Sequence, residues 1–486
     1  MAITASWPTA EIEATSMSDY QIHSSDSRAE DIELAITVAP TNPQAEDKKV
    51  HDASECLIFS RPTAAYRYDA YNRRRLLNNM LFGIGLLEFA NAGDFAANVW
   101  NEVPAPTYAL VLMGIGGTFA LSVSYFAFKD AILSWKNVQL LRQERAYLRG
   151  RQLDSGVGIL EERDLDCRLD VNFRESGTEY ADRFGMDLIM GFAATLVGVG
   201  TLMAIGGENR RVFHASNLLS GYIGNGPAAF WGLANVAWCI FVWKRVHQHY
   251  LAGLKEFHDK DPVFQMLRQR TRIVMWHAVI YGITGFLAGV ASLLTSTLWY
   301  GYVALAPCIL AAIGSNHIFR HQILYSRHSI QEMPLLDRTS LLRQLRGIVF
   351  IRALLSGRPS DSVAHLLSAP VSLPSVLNFI ITYGLFEDFC TRIIGNPALV
   401  GALFGTDAQS LVLHSRKLEA VEGPTGEMLL EVAKECIADL PAQCSKDRET
   451  FLLETFGCLL CFDREANAES RKSGKSEAVL GTAEMG

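Results

Sequence analysis

The stretch Tyr108-Ala-Leu-Val-Leu-Met-Gly-Ile-Gly-Gly-Thr-Phe-Ala-Leu-Ser-Val-Ser-Tyr-Phe-Ala-Phe128 decides the fold class, because it carries no charged residue over its whole length. A bilayer core about 30 Å thick is crossed by roughly 20 apolar helical residues that rise 1.5 Å each. The chain as a whole is also apolar, with a mean hydropathy of +0.13 and 20% charged residues. The stretch is therefore predicted to be a membrane-spanning helix.

Five further apolar stretches approach this length, and together they predict an all-α, polytopic helical membrane protein. The first of the six is the least apolar, because Glu88 and Asp94 oppose insertion into hydrocarbon, so five or seven spans are the alternatives. The six helices would form three hairpins within a transmembrane domain of residues 61–319. The predicted spans are residues 78–98, 107–128, 184–205, 227–243, 274–295 and 299–319.

Lysine and arginine residues indicate the orientation of these helices. They cluster before the first span, after the second and after the fourth, whereas the links between spans one and two and between spans five and six contain none. By the positive-inside rule, both chain termini are predicted to be cytoplasmic. Gly285 and Gly289 form a small-xxx-small pair in the fifth span, which predicts close helix packing. We expect an integral protein of the plasma membrane or an endomembrane, its first partner being the lipid bilayer.

The ends of the chain are more polar. Residues 1–60 are acidic and lack a signal-peptide core, which predicts a disordered cytoplasmic tail. Residues 320–462 alternate amphipathic runs with helix breakers, which predicts a small cytoplasmic helical domain, and residues 463–486 are predicted to be a second disordered tail. Within this domain, a first helical run is expected to be followed by further helical runs near 375–394, 407–417, 426–438 and 447–462.

The first span carries the main candidate site. If its helix starts near residue 77, Glu88 lies about 16 Å into the bilayer, close to the middle. Asn91 and Asp94 follow it with helical spacing. Lipid would make such a face unfavourable, so it should face the bundle interior or water.

Two interpretations of this polar face stay open. In the first, Glu88 is a cation or proton site on a permeation path, and Asn235 joins it because its predicted depth is similar. In the second, Glu88 is protonated and hydrogen-bonded to Asn235, Ser122 or Ser124, and Asp94 lies at the wet outer rim.

Metal and thiol motifs are weaker signals. His317 and His321, four residues apart, could share a metal as in membrane hydroxylases, but the chain lacks the adjacent histidine pairs that di-iron enzymes of this kind need. No metal or other cofactor is therefore predicted. Cys458-Leu-Leu-Cys461 has redox or metal spacing, but it lies in an apolar run, which favours buried helix-core thiols; a redox pair and palmitoylation are the alternatives.

The sequence lacks the motifs of several enzyme classes. It contains no nucleotide-binding P-loop, no Gly-x-Ser-x-Gly elbow and no His-Glu-x-x-His motif. A net charge of −7 with dispersed basic residues predicts no nucleic-acid partner. We predict a secondary transporter or channel for an ion or small molecule. The alternative is a non-catalytic anchor that recruits a cytoplasmic protein partner through its helical domain, and a metal-dependent membrane oxidase or hydroxylase comes third.

Overall fold

The computed structural model is mostly helical, with a few short strands. The predicted acidic tail lies outside the described residues as far as residue 55, and residues 56–60 form a strand rather than a continuation of that tail. The structure describes residues 56–60, 69–70, 75–100, 104–153, 158–295, 297–330, 333, 337–355, 372–382, 385–405, 410–438 and 442–483.

The segment predicted as the first span is not one regular helix. After strands β1 (Cys56–Ser60), β2 (Asp69–Ala70) and β3 (Arg75–Leu76), the chain forms short pieces of helix. Glycine has a low helix propensity, and Gly83, Gly85 and Gly93 lie within these pieces. The pieces are the 3₁₀ helix Phe82–Leu86, α1 (Leu87–Asn91), the 3₁₀ helix Ala92–Asp94 and α2 (Phe95–Val99).

Five helices of the described chain, rather than six, are long and apolar enough to cross a membrane by length and composition. Two of them contain a π-helical segment at which one α-helix passes into the next, and a third ends in such a segment. The helices are α3 (Thr107–Leu153); α4 (Ile159–Gly177), Thr178–Gly185 and α5 (Met186–Ala204); α6 (Arg210–Asn217), Leu218–Ile223 and α7 (Asn225–Glu256); α8 (Pro262–Thr295); and α9 (Gly301–Ile318) with Phe319–Ile323.

Residues 77–100, called here the N-terminal segment, run antiparallel to α3. The backbone N–H of Leu81 donates to Asp130 at 2.7 Å, and the rings of Trp100 and Tyr108 lie 5.3 Å apart at the other end. Between these contacts a Cβ atom on Gly116 would lie 2.3 Å from the carbonyl oxygen of Gly93, so the two backbones touch. The segment therefore follows α3 for roughly 33 Å at 1.5 Å per residue.

Close backbone approach also joins the long helices, as the glycine pattern predicted. A Cβ atom on Gly232 of α7 would lie 2.5 Å from the carbonyl oxygen of Gly285 in α8. A Cβ atom on Gly289 would lie 2.9 Å from the Cα atom of Ala229. Both residues of the predicted small-xxx-small pair thus lie in the α7–α8 contact, where a side chain would push the helices apart.

The C-terminal part contains seven helices and two short strands in the described residues, and α11 to α15 share a hydrophobic core of their own. Helix α16 packs instead against α4, α8 and α10, and it extends well past the predicted boundary at residue 462. The elements are β4 (Arg327–His328), α10 (Arg338–Leu355), α11 (Leu373–Thr382), α12 (Phe386–Gly395), α13 (Pro397–Phe404), β5 (Ser410–His414), α14 (Ser415–Glu419), α15 (Gly423–Ala438) and α16 (Ala442–Ala483).

Two local predictions for this part differ from the structure. The run 407–417 was expected to be helical, but β5 lies there and pairs antiparallel with β1. Leu411 and Leu413 are buried while Val412 is exposed, which is the two-residue period of a strand. Residues 463–483 were expected to be disordered but continue α16, since their alanine, glutamate, lysine and arginine residues favour a helix.

Candidate functional site

Tyr281, on α8, is a half-buried tyrosine within electrostatic range of three carboxyl groups. Its Oη atom donates to the Sδ atom of Met186 at 2.8 Å. The carboxyl groups of Glu88, Asp182 and Asp187 all interact electrostatically with this phenol. We call these four residues, Tyr281 with Glu88, Asp182 and Asp187, the acid cage. They come from the N-terminal segment, α8, the start of α5 and the π-helical segment before it.

A buried arginine, Arg183, interacts electrostatically with Asp187 of the acid cage. Arg183 has no exposed surface, and its guanidinium pairs with Asp130 at 3.0 Å and with Glu179 at 2.9 Å. Asp187 lies beside Asp130, and no group in the described chain donates a hydrogen bond to either of its carboxyl oxygens. The Arg183 guanidinium therefore pairs with two carboxylates, and Asp187 is a third acid that interacts with it electrostatically.

Asp182 links the cage to a small cavity. One of its carboxyl oxygens accepts a hydrogen bond of 2.7 Å from the indole of Trp238, while the other has no partner among the described residues. The cavity measures about 30 Å³, and Asp182, His277 and Tyr281 line it together with Arg174 at its polar end. This volume is enough for a water molecule, which the free oxygen of Asp182 could bind.

The predicted site residues Glu88 and Asn235 both lie near Tyr281. Glu88 is partly buried and interacts with its phenol, whereas Asn235 is buried and donates to its backbone carbonyl at 3.5 Å. The predicted hydroxyl partners of Glu88 bond elsewhere: Ser124 donates to the carbonyl of Gly191, and Ser122 donates within its own helix. Neither serine holds the Glu88 carboxyl.

Asn91 and Asp94 also point into the bundle. Asn91 is 2% exposed, and its side chain lies beside the carboxyl group of Glu88. Asp94 was expected at a wet outer rim, but it has no exposed surface and accepts hydrogen bonds from Tyr302 at 2.7 Å and Asn98 at 2.9 Å. The prediction that Asp94 lies at a wet outer rim is wrong, because the N-terminal segment packs against α9 where Tyr302 contacts Asp94.

The candidate metal and thiol residues are brought together only in part. The rings of His317 and His321 have centroids 4.5 Å apart but are tilted by 51°, and both residues are exposed, the first in α9 and the second in the π-helical segment after it. Cys458 is 1% exposed in the core of α16, in agreement with the predicted helix-core thiol, while Cys461 is partly exposed.

Below the cage, a chain of buried ion pairs joins α16 to the long helices; we call it the stalk network. Arg327 pairs with Glu144 at 2.8 Å and also with Glu175, and all three are almost fully buried. The hydroxyl of Tyr325 donates to Glu175 at 2.6 Å. The other half of the network centres on Glu454, which pairs with Arg174 at 3.3 Å, with Arg270 at 3.2 Å and with Arg245.

Charge and burial shift the proton affinities in this network. Burial by itself would raise the pKa of Glu454, but its three arginine partners hold that pKa well below the ordinary value. Burial and the neighbouring carboxylate of Glu175 raise the pKa of Tyr325 well above its ordinary value. Glu454 therefore stays ionised and Tyr325 stays neutral at physiological pH.

Sequence reasoning missed most of these groups. In the sequence, Asp187 is only one polar residue near the end of a predicted span, and Tyr281 gives no signal at all, because one tyrosine in an apolar run is ordinary. Three of the eight residues of Thr178–Gly185 are charged, and the segment directly precedes a predicted span. This cluster of charges is the sequence feature from which the site could have been predicted. Their convergence depends on the π-helical turn, which no residue pattern predicts.

Comparison with known proteins gives no match for this chain. No protein-family model matches it, and neither does any curated protein or solved structure. What the chain does is therefore inferred from the chemistry of its own residues.

Proposed function

We propose that this chain is an integral membrane protein that carries protons across the bilayer through the interior of its helical bundle. The observation that carries the proposal is the acid cage, in which the carboxyl groups of Glu88, Asp182 and Asp187 interact electrostatically with Tyr281, and Asp182 and Tyr281 line the same cavity. Ionisable groups inside a membrane bundle are rare, and they mark proton relays and ion pathways. This proposal narrows the broader transporter prediction to one transported species.

The outer surface of the helices supports insertion into a bilayer. Large apolar side chains are exposed along them, including Ile115 at 62%, Phe230 at 66% and Leu310 at 72%. Polar groups are buried between the same helices, which is the arrangement that hydrocarbon favours. In this proposal the N-terminal segment makes a sixth crossing beside α3, and the arginine distribution keeps both termini cytoplasmic. Irregular backbone is tolerated at membrane depth where protein covers it.

A line of polar groups supports a path in both directions from the cage. Towards the cytoplasm, Asp182 opens on the cavity of about 30 Å³. Towards the outside, Asn91 and Asn225 are buried, and their side chains lie beside the carboxyl groups of Glu88 and Asp94, respectively. Polar groups buried inside a membrane bundle mark ion and proton pathways. A second cavity of about 50 Å³, lined by Trp100 and Glu208, continues the line outward.

The size of these spaces favours a proton over a larger substrate. A cavity of about 30 Å³ has room for one or two water molecules. A proton needs only a chain of waters and titratable groups within hydrogen-bond reach. Tyr281 can donate and accept at one oxygen, and it lines the same cavity as Asp182, so in this proposal it passes a proton between that cavity and Glu88 through intervening water.

Purified full-length protein in liposomes with a trapped pH-sensitive dye tests this proposal. A potassium gradient with valinomycin supplies the driving voltage, and the dye reports proton entry. We expect a flux above that of protein-free liposomes, and Asp182→Asn should lower it by about tenfold or more. Asp259→Asn, an exposed residue in the turn before α8, is the matched control and should keep the wild-type flux. A wild-type flux equal to that of empty liposomes would contradict the proposal.

The second candidate function is a membrane anchor that recruits a cytoplasmic protein. The observation that favours it is the separate hydrophobic core of α11 to α15, since a unit with its own core can present a binding surface independently of the bundle. The two functions predict different effects of a substitution in the acid cage on proton flux. In an anchor, Asp182→Asn would change stability but leave liposome flux at background, as in the wild type.

A further inference from the structure

We propose that Asp170, His249 and Cys458 bind a divalent metal ion of the zinc class, which fastens α16 to α4 and α7. The three residues lie at the cytoplasmic end of the bundle, apart from the acid cage. Each contributes one ligand atom, and these atoms lie within 4.8 Å of one another. A thiolate, an imidazole and a carboxylate together are a ligand set that zinc prefers.

The distances fit a tetrahedral centre. The Sγ atom of Cys458 lies 3.1 Å from Oδ2 of Asp170 and 3.8 Å from Nε2 of His249. With zinc–sulfur bonds of about 2.3 Å and zinc–nitrogen bonds of about 2.0 Å, two tetrahedral ligand atoms lie about 3.5 Å apart. The two distances from the sulfur are therefore close to this spacing, and an ion can bind once the Arg245 guanidinium moves away from the sulfur.

The backbone is shaped for this contact. Gly457 directly precedes Cys458, and a Cβ atom there would lie 2.4 Å from Nδ1 of His249. Any other residue at this position would push the imidazole away from α16. His249 is 3% exposed, so its ring is held against the helix that carries the thiol.

Arg245 is the group with which a metal ion must compete. Its guanidinium donates to Asp170 at 2.7 Å and to the Sγ atom of Cys458 at 2.8 Å, and it also pairs with Glu454. On metal binding the thiol loses its proton to solvent, and the metal takes the place of the guanidinium at the sulfur. Arg245 keeps its ion pair with Glu454 and can still orient the Asp170 carboxylate from outside.

An ion can reach this site from solvent. The side chain of Asp170 is 38% exposed, although the other two ligands are buried. Cys167 interacts with Cys458, so the fourth position can be taken by water or by this second thiol. The three ligands come from α4, α7 and α16, and binding would therefore stabilise the docking of the last helix.

Cobalt(II) replaces zinc and reports its ligands by absorption, so it is the probe of choice. Full-length protein in detergent is treated with a chelator, desalted and titrated with cobalt(II). We expect one bound ion per chain, with a sulfur-to-cobalt charge-transfer band in the near ultraviolet and tetrahedral bands in the visible range. Competition by zinc should remove both features. Cys458→Ser should abolish the charge-transfer band, and His249→Gln should weaken binding by about 100-fold.

The matched control is Cys461→Ser, one helical turn further along α16, which should keep the full spectrum. His317→Ala tests the exposed histidine pair and should also leave the spectrum unchanged. A wild-type protein without the charge-transfer band at saturating cobalt would overturn the proposal, whether or not the variants fold. A band that survives Cys458→Ser in a folded protein, or disappears in Cys461→Ser, would overturn it as well.

Discussion

The hydroxyl of Tyr302 donates a hydrogen bond of 2.7 Å to Asp94, a carboxylate with no exposed surface. Asn98 donates to the same carboxylate at 2.9 Å and to the Tyr302 oxygen at 2.8 Å. This closed triad ties the N-terminal segment to α9. Asp94 is thus held in place by its neighbours, whereas Asp182 and Asp187 have carboxyl oxygens without a partner among the described residues.

Tyr302→Phe should destabilise the protein, because Asp94 would keep only one side-chain donor from this triad. A buried polar group that loses its partner costs about 1–3 kcal/mol. Thermal unfolding in detergent, followed by circular dichroism, measures the change. Tyr108→Phe is the control, since that ring is 56% exposed, and its melting temperature should match the wild type. Equal melting temperatures for all three proteins would contradict the structural role of the triad.

Gly232→Ala should separate α7 from α8. The added methyl group would lie 2.5 Å from the carbonyl oxygen of Gly285, a backbone atom that cannot move alone. Overpacking of this kind costs about 1–3 kcal/mol. Gly114→Ala is the matched control, because no atom lies within 4 Å of the new methyl group and alanine favours the helix by up to about 1 kcal/mol. If both variants unfold at the same temperature, the close approach of α7 and α8 does not limit stability.

Arg327→Met should be among the most damaging single changes in the stalk network. It leaves Glu144 and Glu175 buried without their shared guanidinium. Breaking a buried ion pair in this way costs about 3–5 kcal/mol. The comparison is Arg151→Met, whose pairing with Glu161 is largely exposed and is worth at most about 1 kcal/mol. Unfolding by denaturant distinguishes the two, and similar midpoints would contradict the burial of the network.

The stalk network should also make the stability of the folded protein depend on pH. The pKa of Glu454 in the folded protein lies well below the ordinary value of 4.5, so the ionised group contributes stability above that pH. This contribution is lost as the pH falls from about 4.5 towards the folded-state pKa. Glu454→Gln should therefore be less stable than the wild type at pH 7, and the difference should shrink on acidification. A difference that stays constant between pH 7 and pH 3 would contradict this assignment.

The long helices could be predicted from sequence because their signal is local. Five of the six predicted spans coincide, to within two residues at either end, with parts of helices that are long and apolar enough to cross a membrane. The remaining segment is also apolar, but its glycines and its contact with Gly116 break it into short pieces. Such a contact joins residues far apart in sequence, and hydropathy cannot report it.

The candidate site was predictable only in part for the same reason. Glu88 and Asn235 could be singled out, because polar residues in apolar runs are conspicuous. Tyr281 could not, since its role arises from the carboxyl groups that three other elements bring to it. Glu454 was in principle visible as a single acid in the apolar run Phe451–Phe462, but its three arginine partners come from α4, α7 and α8.

The most direct test of the proton path compares two tyrosines of the same bundle, each beside a carboxyl group. Tyr281→Phe and Tyr302→Phe each remove one hydroxyl, the first from the acid cage and the second from the closed triad at Asp94. In dye-loaded liposomes under a valinomycin voltage, we expect Tyr281→Phe to lose proton flux by about tenfold or more. Tyr302→Phe should keep the wild-type flux although it is less stable. Equal flux in the two variants, whether both retained or both lost, would contradict a path through Tyr281.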